Sequence, residues 1–581
     1  MKFNALPWPR NLFVLVFVLF FALSLRLLLD YDVWFQLIAG QETVRTLAVP
    51  KAEFYIYSAL GEPSIFVGWL WGLLLYFAWL VGGYPLVSAF GALVWAVVFV
   101  VAVAAILSRI ACEIPSSAAF SRTAQTAAAL IGVSVAYQYL VGRALFRAEV
   151  TLYLAWVLAV YLSVGIANDR QRLHRFLIAV PLLSWALGWF HTTSVFMVLL
   201  LVGYFLQAAA DAVREGGSGA LRTFVRMRSW QWLLSILAAL LLPCLNPNGV
   251  QQALPLVAGL ADVLREIFIG SPGKAAEPLI HLNFEYRRLL DVPRVWPAAM
   301  LFFVSSIIVV WRDRPHRVAN ALFLAAGMLL SFLHIRALAL WAIFLMIPLG
   351  VAVAPWLHKA TVALESKGRG ALVNALIVMC CLWNVGVLFN REGARWGIGY
   401  SPDPADEQLL KTIRANLPDG GRIFNWHPLG AYLRWHLGEN YLVAMDGHFA
   451  ETKSAAWKAY FDIEDHKDKG LFLMDRWNIR AVYHPVVVPT YGEIHWLPYE
   501  LVKDRHWRLV AMDRRGVAFV RTEKEMDERT RNMLLVEYWR RVHAEASFVA
   551  LVSAEPANKQ RADRTIEIAR SKVGEVQALL Q

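Results

Sequence analysis

The sequence predicts a polytopic α-helical membrane protein with about eleven transmembrane helices, a C-terminal external α/β domain and a helical tail. Three observations predict this. Hydrophobic residues fill 58% of 581 positions and 24 residues are Trp, a composition of membrane-embedded rather than soluble chains. Long apolar runs recur up to residue 389. Beyond it they give way to short strand-like and helix-like patterns.

Spans are read near 12–29, 84–107, 124–141, 149–167, 176–190, 193–210, 230–245, 295–311, 318–335, 337–356 and 370–389. Each is near the length needed to cross a hydrocarbon core of about 30 Å. An odd number places the termini on opposite faces. Lys and Arg in short loops set the orientation, because they concentrate on the cytoplasmic side. One alternate set of loops holds Lys2 and Arg10; Arg109 and Arg122; Arg170, Arg172 and Arg175; and Arg214, Arg222, Arg226 and Arg228. Arg312, Arg314 and Arg317, then Lys359, Lys367 and Arg369, continue it. The opposite face then holds Asp30, Asp32, the loop from Asn246 to Arg294, and everything after Phe389. This reads as a multi-pass protein of a bacterial inner (plasma) membrane. The N-terminus is cytoplasmic and the C-terminal domain periplasmic or extracellular. No small-residue cleavage site precedes Asp30, so the first span is expected to be retained.

The apolar stretch Ile65 to Leu80 would break the charge alternation if it crossed the membrane. Its Trp69, Trp71, Tyr76 and Trp79 suit an interfacial helix instead. Three domains follow: a transmembrane domain over 1–389, with a first external loop at 30–83; an external α/β domain over 390–522; and a helical tail over 523–581. In the α/β domain, helices are expected at Asp403 to Asn416 and Leu429 to Leu437, with Ser454 to Asn478 mostly helical. Strands are expected at Arg422 to Trp426, Tyr441 to Met445, Arg480 to Tyr483 and Val517 to Arg521. Two tail helices, about 523–551 and 556–580, flank Ala554-Glu555-Pro556.

The net charge of +12 is topological. Residues 390–581 hold 28 Lys and Arg against 27 Asp and Glu, so the membrane half carries nearly all of it. No basic stripe or motif marks a nucleic-acid partner. Cys112, Cys244, Cys380 and Cys381 lie in or beside spans, which leaves the external domain no disulfide framework and no paired-cysteine metal site.

Asp30 and Asp32 sit where the first apolar helix ends. Carboxylates there are costly unless they face water or a polar partner. They read as a reaction site at the membrane surface, or as a plain polar stop and cap of a short helix. Arg143, Arg147 and Arg336 lie at external ends of spans, placed for a lipid phosphate or for ordinary snorkelling. Glu285, Arg287 and Arg288 form a second basic cluster. His191 follows Trp189-Phe190 at another span end, as a phosphate or acceptor contact or as a hydrated helix cap. Asn425, His427, Asp446 and His448 close expected strands, where α/β layers favour ligands and where turns also place such residues.

The first loop carries Asp30-x-Asp32-x-Trp34, Gly40, Pro50, Gly61-Glu62-Pro63 and Trp69. Arg143-Ala-Leu-Phe146, Trp185 to Thr192, Leu245-Asn246-Pro247-Asn248-Gly249, His334-Ile335-Arg336, Phe424 to Leu433 and Met445-Asp446-Gly447-His448 follow in order. This set resembles the GT-C class of polytopic glycosyltransferases, in particular an uncharacterised bacterial GT-C-like family with a DxDxW first loop. It covers residues 10–520. The chain departs from that pattern at Gln36, where relatives have His, and at Val67-Gly68, where they have His-Glu.

The resemblance implies transfer of a sugar from a polyprenyl-phosphate donor, a membrane lipid, to a glycan, lipid or protein acceptor at the outer face. It implies Asp32 as base and Asp30 as its partner or a metal ligand. A divalent metal ion is the candidate cofactor, with Asp30 and Asp32 as its ligands. Arg143, Arg147, His191 and Arg336 are the expected donor-phosphate and substrate contacts. The departures keep open a second reading: a non-catalytic subunit of this fold, serving as a lipid-binding or assembly scaffold in a cell-envelope complex. The charged helical tail then offers a surface for a protein partner.

Overall fold

The computed structural model describes residues 10–113, 121–140, 146–167, 169–253, 289, 295–369, 371–392, 395–401, 404–447, 455–465, 467–488, 492–513, 515–553 and 556–580. The membrane half is helical: α1 Arg10–Ser24, α2 Asp32–Thr46, α3 Trp69–Glu113, α4 Arg122–Leu140, α5 Glu149–Leu162, α6 Arg170–Phe190 and α7 Val195–Leu241. It continues with α8 Trp296–Arg312, α9 Arg317–Leu333, α10 Leu338–Glu365 and α11 Ala371–Glu392. Among the described residues, six helices are long and apolar enough to cross a membrane, and four more apolar helices are shorter. α10 is the central one: it packs against α3, α4, α8 and α9, and its apolar window is 89% buried. Small residues bring it close to α4, where a Cβ on Gly132 would stand 2.6 Å from the Met346 carbonyl oxygen.

Two helices bend at glycine pairs. α3 leaves helical geometry at Gly82 and Gly83, and α7 at Gly216 and Gly217. Gly83 and Gly217 have φ of 61° and 63°, a region that favours glycine. The first bend separates Trp69–Val81 from the rest of α3, so the stretch expected to lie along the interface is a helical segment of its own. The first loop is more ordered than the motif reading anticipated, since α2 fills a third of it. α2 lies on α3 at a glycine crossing: a Cβ on Gly40 would stand 2.4 Å from the Gly72 carbonyl oxygen.

Arg109 is not a free loop charge. Its guanidinium pairs with Asp313 at 2.9 Å, with side chains 1% and 2% exposed, and Asn320 also donates to that carboxylate at 2.7 Å. Burying such a pair is tolerable only with hydrogen bonds of this kind.

The C-terminal domain is a five-stranded sheet: β1 Gly421–Asn425, β2 Tyr441–Val443, β3 Ile479–His484, β4 Trp507–Met512 and β5 Val517–Arg521. Its order is β2-β1-β3-β5-β4. β2, β1 and β3 run parallel, while β5 is antiparallel to both β3 and β4. Helices α12 Pro404–Asn416, α13 Gly430–Leu437, α14 Ala455–Asp465, α15 Lys467–Arg476 and α16 Trp496–Lys503 surround it. The sequence reading missed α16 and β4. The tail helices α17 Glu528–Val552 and α18 Pro556–Leu580 pack on each other. Glu545 of α17 accepts the backbone N–H groups of Val486 and Val487 at 3.2 and 3.1 Å, which docks the tail on its own sheet domain.

Candidate functional site

After α1 the chain runs extended, and the linker beyond α11 lies beside it. Leu27 donates its N–H to the Arg395 carbonyl at 2.8 Å, and Leu28 to that of Gly399 at 2.9 Å. This clamp sets where Asp30 and Asp32 begin α2. Asp32 is the first residue of that helix, where the helix dipole favours a carboxylate. Its N–H faces Asp30 Oδ1 at 3.4 Å.

Arg147, in the turn before α5, reaches both carboxylates. Its Nε lies 3.2 Å from Asp30 Oδ2 and 3.0 Å from Asp32 Oδ2. The Asp30 side chain is 7% exposed and that of Asp32 is 30% exposed. Two residues on, Glu149 opens α5 and pairs with Arg336 at 3.3 Å. Both of those charges act on His191, the C-cap of α6, whose Nδ1 lies 3.2 Å from Thr193 Oγ1. The structure therefore groups Asp30, Asp32 and Arg147, and beside them Glu149, Arg336 and His191. Arg143, Glu285, Arg287, Arg288 and His448 lie outside the described residues.

Gly68 marks where these pieces converge. A Cβ there would meet the Phe190 carbonyl oxygen at 2.9 Å, the Ala148 Cβ at 3.3 Å and Gln36 Nε2 at 3.6 Å. Its φ is +77°. Position 68 is thus taken up by a close backbone approach that only glycine permits.

The sheet domain closes on the same loop. A Cβ on Gly447, just past β2, would stand 3.5 Å from Asp32 Oδ1. Loop residues Tyr55 to Tyr57 pair with the free edge of β2, exchanging backbone bonds with Val443 at 3.0 Å in both directions. Trp34 on α2 is held edge-on by Tyr84, Tyr400, Tyr432 and His436, with His436 at 4.7 Å between ring centroids. Arg515 stands 5.6 Å from the Tyr31 ring and pairs with Asp406 at 3.2 Å.

The strand-end residues divide. Asn425 is a buried stitch: its amide donates to the Trp426 and Met445 carbonyls and accepts from Ala444 N–H, each at 2.9 Å. Asp446 is buried and accepts from Tyr55. His427 is buried as well, and burial pushes its pKa down to about 4.

For a metal ion, the first-loop pair offers two carboxylates, both of them paired here with the Arg147 guanidinium. Among the described residues, the set of three or more potential ligands in mutual reach is Glu464, His484 and His495. The sequence reading missed it, because the residues are far apart along the chain. It also missed Glu149 and Tyr55. An acidic residue two places after Arg147 was the one available signal.

No protein-family model matches the chain, and no curated protein does. Solved structures do. Archaeal oligosaccharyltransferase AglB from Archaeoglobus fulgidus, in complex with an inhibitory peptide and a dolichol-phosphate, is 10% identical with a TM-score of 0.54. That match covers 91% of this chain and 76% of the other. The same organism's oligosaccharyltransferase, tethered to an acceptor peptide containing the NVT sequon, is 11% identical with a TM-score of 0.52, over 88% and 74% of the two chains. Its apo form is 12% identical with a TM-score of 0.50, over 84% and 71%. At such identity the likeness speaks for the fold alone: this chain shares the polytopic helical fold with an external domain that those oligosaccharyltransferase structures have.

Proposed function

We propose that the chain is a membrane glycosyltransferase. It moves a sugar or glycan from a polyprenyl-phosphate donor to a glycan, lipid or protein acceptor at the outer face of a bacterial inner membrane. The observation that carries this reading is the Asp30–Arg147–Asp32 set, seated where the first loop, the turn before α5 and Gly447 meet. The fold agrees with it, since the AglB structure above holds a dolichol-phosphate and a peptide.

Asp32 is the more exposed of the two carboxylates and serves as base. It takes the proton as the acceptor oxygen or nitrogen bonds to the anomeric carbon. The bond from that carbon to the phosphate oxygen breaks in the same displacement, so configuration inverts. Arg147 fixes both carboxylates, and Asp30 holds Arg147. Arg336 meets the negative charge that grows on the leaving phosphate, where a fixed cation contributes most. His191, beside Arg336 and Glu149, lines the approach.

Two observations favour the non-catalytic reading. Arg147 pairs with both carboxylates, and the titratable groups that the resembling family has at positions 36 and 68 are absent here. The chain would then be a lipid-binding or assembly scaffold with the tail as a partner surface.

Turnover separates the two. The full chain in liposomes is given radiolabelled polyprenyl-phosphate sugars of several sugar types, and release or transfer of label is followed. The glycosyltransferase reading expects turnover that falls roughly 10²- to 10⁴-fold in Asp32→Asn. Equal turnover in that variant would sink the base assignment. The scaffold reading expects no turnover at all, a silent Asp32→Asn in complementation, and loss of function when the tail after Glu523 is deleted.

A further inference from the structure

Three side chains from separate elements converge in the sheet domain: Glu464 near the end of α14, His484 at the end of β3, and His495 just before α16. His484 Nε2 lies 2.8 Å from Glu464 Oε1, and His495 Nε2 lies 2.9 Å from Oε2. Their candidate ligand atoms all lie within 4.8 Å of one another. The side chains of His484, His495 and Glu464 are 1%, 12% and 12% exposed.

The hydrogen bonds around this set fix its chemistry. His484 Nδ1 lies 3.0 Å from the Pro485 carbonyl oxygen. A carbonyl only accepts, so Nδ1 carries the hydrogen, and Nε2 faces the carboxylate with either a second proton or a metal ion between them. Metal-bound histidines show the same arrangement, with the second ring nitrogen donating to a carbonyl and fixing the ring. Tyr460 OH donates to Glu464 Oε1 at 2.5 Å and orients the carboxylate. Two imidazole nitrogens and one carboxylate, with a water molecule as the fourth ligand, suit Zn²⁺, whose bonds to such protein ligands run about 2.0–2.2 Å. Ligand atoms around a tetrahedral ion stand about 3.3 Å apart at those bond lengths. His484 Nε2 at Oε1 and His495 Nε2 at Oε2 would each open by about 0.5 Å to admit one, and the ligand atoms already lie within 4.8 Å of one another.

We propose that Glu464, His484 and His495 form a structural Zn²⁺ site that ties α14 and the segment before α16 to the end of β3. It is closed to substrate by its burial, and it braces the strand ends that carry Asn425 and present Asp446 to the first loop. The proposal is independent of the transferase reading.

The test uses the full chain in detergent, purified through a tag without histidine and without chelator. Elemental analysis should find about one zinc per chain. Stripping with chelator should lower the unfolding temperature, and added Zn²⁺ should restore it. Co²⁺ in place of Zn²⁺ should give visible absorption bands of a four-coordinate site. Glu464→Gln and the double variant His484→Ala, His495→Ala should lose the metal and the response, while His506→Ala at an exposed histidine should keep both. Wild-type protein that holds no more zinc than the double variant overturns the proposal. So does a wild-type unfolding temperature indifferent to chelator and Zn²⁺, a readout that stands even if a variant fails to fold. In either case protons alone bridge the three residues.

Discussion

Tyr55 donates its phenolic hydrogen bond to Asp446, and both side chains are completely buried although 391 positions separate them in sequence. Burial first, and then the Asp446 charge, hold the Tyr55 hydroxyl protonated far above its usual range. This contact fastens the first loop to the sheet domain beside Gly447, which in turn lies against Asp32. A hydrogen bond to a charged group contributes about 1.5–3 kcal/mol. Tyr55→Phe should therefore destabilise the chain by that amount, read from thermal unfolding in detergent. Asp446→Asn should cost less. The double variant should cost clearly less than the sum, because the two residues share one interaction. Strict additivity would mean that the contact carries no coupling.

The membrane helices and the parallel strands were legible because their signals are local. Apolar runs and short alternations gave α4, α5, α8, α9 and α11, the parallel β1, β2 and β3, and the antiparallel β5 to within about five residues, while α3 and α7 each join two expected stretches. The second tail helix opens at Pro556 as expected and the first at Glu528, five residues later than expected. β4 was not legible: Trp507 to Met512 carries Arg508, and its place at the sheet edge is decided by pairing with β5. α2 was hidden for a similar reason, since its polar and apolar residues are sorted by the crossing at Gly40 and Gly72 and not by a strong periodicity of its own. In the candidate site, Asp30, Asp32, Arg147, His191 and Arg336 were named from motifs. What the motifs could not show was pairing. That Arg147 bridges the aspartates, and that Glu149 takes Arg336, depends on chain ends more than a hundred residues apart meeting around Gly68.

The orientation makes its own prediction. The proposed orientation, read from the alternation of Lys and Arg, puts Lys367 in the cytoplasm and the sheet domain outside. Single cysteines at Lys367 and at exposed Lys411, labelled in intact cells with an impermeant reagent, should react only at position 411. The reagent reaching position 367 instead would invert the topology and move the Asp32 site to the inner face.

The glycine crossing tests how the first loop is held. Ala at position 72 would place its Cβ 2.5 Å from the Gln36 carbonyl oxygen, and Ala at position 40 would stand 2.4 Å from that of Gly72. Both obstacles are backbone, which cannot swing aside as a side chain can. Gly40→Ala and Gly72→Ala should each destabilise by about 1–3 kcal/mol or more. Gly574→Ala on the tail helix meets nothing within 4 Å, and should stabilise by up to about 1 kcal/mol through helix propensity. Equal unfolding temperatures for all three would refute the crossing.

His436 makes the junction between α2 and the sheet domain sensitive to acid. Its ring packs against Trp34, Tyr400 and Tyr432 at 4.7, 5.1 and 4.6 Å. Burial, and secondarily the Arg414 charge, lower its pKa from 6.5 to about 4. The folded chain thus keeps this imidazole neutral where the unfolded chain would protonate it. The stability it contributes is complete above pH 6.5, declines as pH falls, and is gone by about pH 4. The loss approaches 1.4 kcal/mol per pH unit within that window, on the order of 3 kcal/mol in all. His436→Phe keeps the ring packing and removes the titration. Its unfolding temperature should fall less than that of the wild type between pH 7 and pH 4. Tryptophan emission from the Trp34 environment gives a local readout of the same opening. Parallel pH profiles for the two proteins would assign the acid sensitivity to other groups.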